Sequence, residues 1–179
     1  MSFSDRIANV VDEGFDMAIR VGKPGDSSLI IRKPCVVRIV VVAAPEYLKS
    51  HGTPEASDDL GSHSCIIDTN IADSNKWPFR TATGQAKTVS VDGRIRFSNA
   101  EAGIRAAEAG LGLACVPGFV AGDVIRSGRV MRILQPFEPE PYDVYVLYPH
   151  SRHLSAKVRL LVDALVERFW GQPEREAGW

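Results

Sequence analysis

The residues whose types and spacing could do chemistry lie between Arg94 and Pro117, RIRFSNAEAGIRAAEAGLGLACVP. Arg94–Phe97 alternates polar and apolar residues, as a half-buried strand does. Ser98 followed by Glu101 has capping-box spacing, so a helix is expected to start there. Ile104, Ala107 and Leu111 keep the helical period, and Gly110 or Gly112 can close the helix in the left-handed conformation. Leu113–Val116 is a short apolar run ending at Pro117. A helix that opens at the end of a strand turns its first N–H groups outward, and the chemistry this implies is capture of a carboxylate or other anion. A packing unit with no ligand is the plainer reading of the same pattern.

The other reactive residue types are poorly placed for catalysis. His150 and His153 are close together but have no Cys, Asp or Glu at ligand spacing, so turn histidines are expected rather than a metal site. Ser62-His63-Ser64-Cys65 gathers hydroxyls, an imidazole and a thiol without the G-x-S-x-G elbow that exposes a nucleophile. Gly110-Leu111-Gly112 lacks the third glycine of a dinucleotide fingerprint. With no nucleophile–base pair, no metal set and no cofactor motif, the chain does not read as an enzyme. Cys35, Cys65 and Cys115 each sit in an apolar run and read as core thiols; Cys35, near Arg32, Lys33 and Arg38, comes nearest to the basic setting a redox-reactive thiol needs. Asp12-Glu13 and Asp58-Asp59 read as solvated helix ends or turns, and Trp77 as core or rim.

The elements that must position these residues follow from periodicity. Ser4 can cap a helix to about Glu13, and Phe15–Val21 alternates as a strand before the turn Gly22–Asp26. Leu29–Ile31 and Val36–Ala43 read as strands, the second apolar enough for burial on both faces. Pro45 opens a helix over Glu46–Ser50 that Gly52 closes, and Asp58–Gly61 is a turn or a single helical turn. Cys65–Asp68 is a strand, Trp77–Thr81 and Lys87–Val91 form a hairpin around Gly84, and Phe119–Ser127 is a helix closed by Gly128. Val130–Leu134 and Val144–Tyr148 are strands. Ser155 caps a last helix striped by Val158, Leu161, Val162, Leu165, Val166 and Phe169. Residues 171–179 read as a frayed tail.

This alternation argues an α/β fold with a parallel or mixed sheet. At 179 residues, 45% hydrophobic and 24% charged, the chain is long enough for one domain or two small lobes. A net charge of −1 offers no basic stripe for nucleic acid. The sequence has no run of apolar residues long enough for a membrane span and no signal peptide, so a cytoplasmic protein without membrane partners is expected.

Four segments, in order, resemble the effector-binding (substrate-binding) domain of LysR-type transcriptional regulators. They are VDEGFDMAIRVG (Val11–Gly22), VVVAAPEYLKSHGTPEASDDLGSHSCI (Val40–Ile66), FSNAEAGIRAAEAGLGLACVP (Phe97–Pro117) and YPHSRHLSAKVRLLVDALVERF (Tyr148–Phe169). The resemblance implies a two-lobed, periplasmic-binding-protein type II-like domain over residues 1–170. Lobe I would hold about 1–41 plus 142–170 and lobe II about 42–141. It implies a small anionic or aromatic effector held between the lobes. Arg20 and Gly22 would reach it from the first lobe, and Ile67, Asp68, Ser98, Asn99, Ala100, Val116 and Pro117 from the second, with Asn99 as side-chain donor. Arg20 could grip a carboxylate bidentately or simply pair with Asp16 or Glu13.

The family's winged helix-turn-helix, and the first strand and helix of lobe I, have no counterpart before Met1 in this sequence. DNA contact is therefore expected only through such a missing N-terminal domain, the first lobe is expected to be incomplete, and its uncovered edge should favour a homo-oligomer. A free-standing small-molecule binding protein is the alternative.

Overall fold

The computed structural model describes residues 15–22, 29–71, 73–149 and 155–169. The expected helix Ser4–Glu13, most of the Gly22–Asp26 turn, His150, His153 and the tail lie outside them. The strands are β1 (Ala18–Val21), β2 (Leu29–Val37), β3 (Ile39–Ala43), β4 (Cys65–Asp68), β5 (Lys76–Arg80), β6 (Ala86–Ser90), β7 (Ile95–Phe97), β8 (Leu113–Pro117), β9 (Met131–Ile133) and β10 (Tyr142–Pro149). The helices are α1 (Pro45–His51), α2 (Ala100–Glu108), α3 (Gly118–Arg126) and α4 (Ala156–Phe169). The chain divides into two compact units, one holding Arg38–Glu140 and the other Ile7–Val37 with Pro141–Gly178. All of β3 therefore belongs to the first.

In the Ile7–Val37/Pro141–Gly178 unit, an antiparallel sheet runs in the order β1-β10-β2. Leu29–Ile31 and Val36–Val37 are not separate strands. β2 runs through Pro34, which has no N–H to donate. The strand tolerates it because β2 is an edge and the register with β10 shifts between Val144 and Val146, opposite the proline. Val146, Tyr148, Val158 and Val162 make the core here, with Met17 and Leu165 against them. Ser155 stands where expected, its carbonyl accepting the first helical bonds from Val158 and Arg159. The expected stripe on α4 is narrower than its sequence, because Leu161 is 44% exposed and Leu160 70%. A three-stranded sheet covers little more than the Val158–Val162–Leu165 line.

In the Arg38–Glu140 unit a five-stranded mixed sheet runs β7-β4-β8-β3-β9. β4 is parallel to β7 and β8, and β3 is antiparallel to β8 and β9. The apolar run Val36–Ala43 breaks at the exposed Arg38, whose carbonyl accepts from Gly118 N–H (2.8 Å). Beyond that break β3 is buried on both faces. Val40 and Val42 pack with Ile66, Ile104, Ala107, Ala121 and Val124 under α2 and α3. Val41 and Ala43 pack with Leu60, Ile67, Trp77, Phe79 and Leu113 under α1 and the β5–β6 hairpin. Trp77 is thus core.

Helix ends follow local chemistry. Gly110 (φ 73) and Gly128 (φ 71) close α2 and α3. In each case the glycine N–H and the next N–H return to carbonyls of the last turn, Ala107 and Ala106 after α2 and Ile125 and Val124 after α3. The Asp59 carboxylate accepts from the backbone N–H groups of Ala56 and Glu55 (2.9 Å each), which hold its carboxyl below the usual range, and Asp58 pairs with Lys87 at 2.7 Å.

Tyr47 and His63 link α1 to the start of β4. The Tyr47 hydroxyl accepts from Ser64 N–H at 3.0 Å and lies 3.4 Å from His63 Nδ1, while the His51 ring stacks on Tyr47 with centroids 4.3 Å apart. Burial lowers the His63 imidazole from its ordinary value, His51 acts in the same direction, and Asp59 opposes. The folded state therefore prefers neutral His63. This contribution to stability is complete above the ordinary value of 6.5 and is lost as pH falls through the window below it, where the unfolded chain takes up the proton first. Thermal melts between neutral and acid pH should show the midpoint falling, and His63→Phe should flatten that fall. An unchanged slope would remove His63 from the account.

Candidate functional site

The three mutually parallel strands β4, β7 and β8 end on one edge of the sheet, at Asp68, Phe97 and Pro117, with Asp68 level with Phe97 in the ladder. α2 and α3 both begin at that edge. The carboxyl ends of parallel strands are where open α/β sheets hold ligands, because the chain leaves the sheet there and helix N-termini arrive. A shallow hollow lies at this place, open to solvent, with a cavity volume of about 10 Å³. That is far below the usual ligand pocket of roughly 300–1,000 Å³, so this unit presents a surface floor and not an enclosed pocket.

Five of the expected residues line the hollow: Ile67, Asp68, Asn99, Ala100 and Val116. Ser98 and Pro117 sit beside it in the chain. The Ser98 carbonyl accepts from Asn70 Nδ2, and Pro117 occupies the N-cap position of α3, where no side chain caps. Arg20 and Gly22 belong to the other unit. Arg20 pairs with Tyr145 across β1–β10, and Gly22 (φ 86) donates its N–H to the Asp143 carbonyl at 2.9 Å. Asp16, one of the two expected partners of Arg20, instead pairs with Lys157 at 2.7 Å, and Glu13, the other, lies outside the described residues.

One expectation is corrected. The cap of α2 is Asn99, whose Oδ1 accepts from Ala102 N–H at 3.0 Å, and not the Ser98–Glu101 box. The reason is that Thr69 N–H bonds the Phe97 carbonyl at 2.8 Å and Asn70 bonds that of Ser98, which ties both residues to the β4 loop and leaves Asn99 as the extended residue from which the helix starts. With Oδ1 engaged, Asn99 Nδ2 has no partner among the described residues. Ile66, Phe97, Gly103, Ala114 and Cys115 complete the lining and were not foreseen. Alternation along β4 and β8 could have offered Ile66 and Cys115, but nothing local marks Gly103.

Cys115 departs from a plain core thiol. It keeps part of its surface open and lines the hollow, yet desolvation pushes its thiol up to about 12, with Cys65, Glu138 and Asp68 adding in the same direction. Glu138 is itself gripped bidentately by Arg132 at 2.6 and 2.5 Å. Cys65 is buried and likewise pushed up to about 12, first by desolvation and then by Asp92. A neutral thiol is a poor nucleophile. Under native conditions at pH 8, peptide mapping after brief iodoacetamide treatment should find Cys65 and Cys115 unlabelled; rapid alkylation of Cys115 would contradict this environment.

The hollow therefore offers an apolar floor, one carboxylate, a capped helix start and a protonated thiol. Such a set can bind and orient a small molecule. Among the described residues no cluster of His, Cys, Asp and Glu could hold a metal, and no helix is long and apolar enough to cross a membrane.

Comparison with known proteins agrees with this fold. The LysR substrate binding domain matches residues 1–170. An HTH-type transcriptional repressor of Pseudomonas aeruginosa is 33% identical over 176 residues, covering 97% of this chain and 55% of the relative. The full-length virulence activator AphB of Vibrio cholerae, described as a member of the LTTR family, superposes with a TM-score of 0.76 at 30% identity, over 88% of this chain and 53% of that one. The regulatory domain of CrgA, a LysR-type transcriptional regulator of Neisseria meningitidis, superposes with a TM-score of 0.78 at 26% identity, over 89% and 78%. The chain spans about half the length of the curated relatives it matches.

Proposed function

Because the chain belongs to the LysR substrate binding domain family, with the mixed α/β fold of LysR-type regulatory domains, we propose that the hollow at Asp68, Asn99 and Val116 is the surface on which it senses its effector. The observation that carries this is the convergence of three parallel strand ends and the start of α2 on one partly apolar hollow. The effector is a small organic molecule, anionic or aromatic: Phe97, with Val116 beside it, offers apolar contact, and the start of α2 with Asn99 Nδ2 offers donors to an anionic end. The role is regulation of transcription and not catalysis, which accords with the naming of the relatives as transcriptional regulators. Effector binding would bias DNA contacts made by a helix-turn-helix domain, and the domain would work as a homo-oligomer in the cytoplasm.

Amide chemical-shift mapping against a library of small organic acids and aromatic compounds tests the site. Binders should move Phe97–Gly103 and Ala114–Val116. Binders that move other surfaces and leave these residues still would refute the assignment. Sedimentation should show self-association, and a monodisperse monomer over a wide concentration range would sink the oligomer.

A further inference from the structure

We infer that this hollow selects a ligand presenting an N–H or O–H donor beside an apolar body, received by the Asp68 carboxylate, and disfavours a simple carboxylate. The inference rests on the reading of the hollow as the effector surface.

Asp68 ends β4 and is half-buried in the lining. Its carboxylate is held in place: Oδ1 accepts from Asn70 N–H at 2.9 Å, closing a turn at the strand end. The same loop is tied to the end of β7. Thr69 N–H and Oγ1 both bond the Phe97 carbonyl, at 2.8 and 3.1 Å, and Asn70 Nδ2 bonds that of Ser98. The carboxylate is thus fixed by a stitched pair of loops before any ligand arrives. Among the described residues Asn70 N–H is the donor it has, and no Lys, Arg or His forms an ion pair with it. Glu138, the other carboxylate felt by Cys115, differs in this respect because Arg132 compensates it.

An uncompensated, pre-oriented carboxylate in a partly apolar hollow seeks a donor, and a charge-assisted bond to an ammonium or hydroxyl is the strong form of that contact. The surrounding groups do not supply one. Ile67 and Val116 are apolar, and the Cys115 thiol is at most a weak donor. A bare carboxylate placed on the same floor would meet like charge, which the start of α2 offsets only within its first turn. A ligand can still carry an acidic group toward α2, but its donor decides occupancy at Asp68.

Benzylamine, benzyl alcohol and benzoate share an aromatic body and differ at one end, so amide-shift titrations with the three compare donor and acceptor directly. The amine and the alcohol should move Asp68, Phe97 and Asn99 at lower concentration than benzoate. Asp68→Asn keeps the acceptor for Asn70 N–H, and its spectrum reports whether the loops are intact. It should weaken benzylamine about tenfold and leave benzoate equal or tighter. If benzoate titrates the hollow of the parent as well as benzylamine does, or if Asp68→Asn leaves benzylamine unchanged, the donor requirement is overturned and the effector surface stands. If none of the three moves these residues at millimolar concentration, the effector surface fails and the inference falls with it.

Discussion

Gly93→Ala is expected to lower the stability of the Arg38–Glu140 unit by about 3 kcal/mol, at the upper end of overpacking costs. Gly93 has an ordinary φ, so the cost does not come from the backbone conformation. It comes from room. A β-carbon there would fall far inside contact distance of the Cys65 carbonyl and also against its backbone nitrogen. Neither partner can retreat easily. Cys65 opens β4, an inner strand, and its N–H is bonded to the Asp92 carbonyl at 2.9 Å, which fixes the two segments together. On the other side Gly112 (φ 151) brings its chain against Ser64, where Leu113 N–H bonds the Ser64 carbonyl at 2.9 Å and a β-carbon would again meet that carbonyl. The start of β4 is clamped between two backbones that only glycine allows so close. Urea unfolding of the variant should show a large drop in midpoint with an unchanged slope. A midpoint equal to the parent's would mean that the loop before β7 moves freely and that the clamp is not structural.

Some of this architecture is legible in the sequence because its causes are local. Gly110 and Gly128 sit one step beyond the last helical turn, and the chain closes there as the spacing demands. Cys65–Asp68 reads as a short strand and is one. Other features depend on neighbours distant in the chain. Ser98 and Asn99 are equally good caps by type, and the choice is made by Asn70 and Thr69, which hold the backbone ahead of Asn99. Pro34 argues against a continuous strand until β2 is seen to carry an extra residue there, Lys33 and Pro34 standing opposite the single Tyr145 of β10. Gly93 looks like any loop glycine until Cys65 is placed beside it. The hollow shows the same division. Asp68, Asn99 and Val116 are reachable from strand ends and a helix start, whereas Gly103 enters the lining through the side chain it lacks.

That missing side chain leads to the second large effect. Gly103 lies inside α2 at ordinary φ, and a β-carbon there would meet nothing closer than Ile66 Cγ2 at 3.9 Å. Gly103→Ala should therefore stabilise the unit, by up to about 1 kcal/mol, since glycine is a poor residue within a helix. The contrast with Gly93→Ala separates a glycine kept for backbone approach from one kept for the space above it. Gly103→Leu should carry the argument to function. Its side chain would extend over Ile66 and Ala114, filling a hollow that is already small. Excluding a ligand's apolar body forfeits several kcal/mol, and about 1.4 kcal/mol is tenfold, so binding at this site should weaken by roughly a hundredfold. Thermal melts should show the fold retained, while amide-shift titration with any compound that moves Phe97–Gly103 in the parent should show no saturation. If Gly103→Leu is folded and binds such a compound as the parent does, the ligand lies elsewhere, and the convergence of strand ends at Asp68 and Phe97 is packing alone.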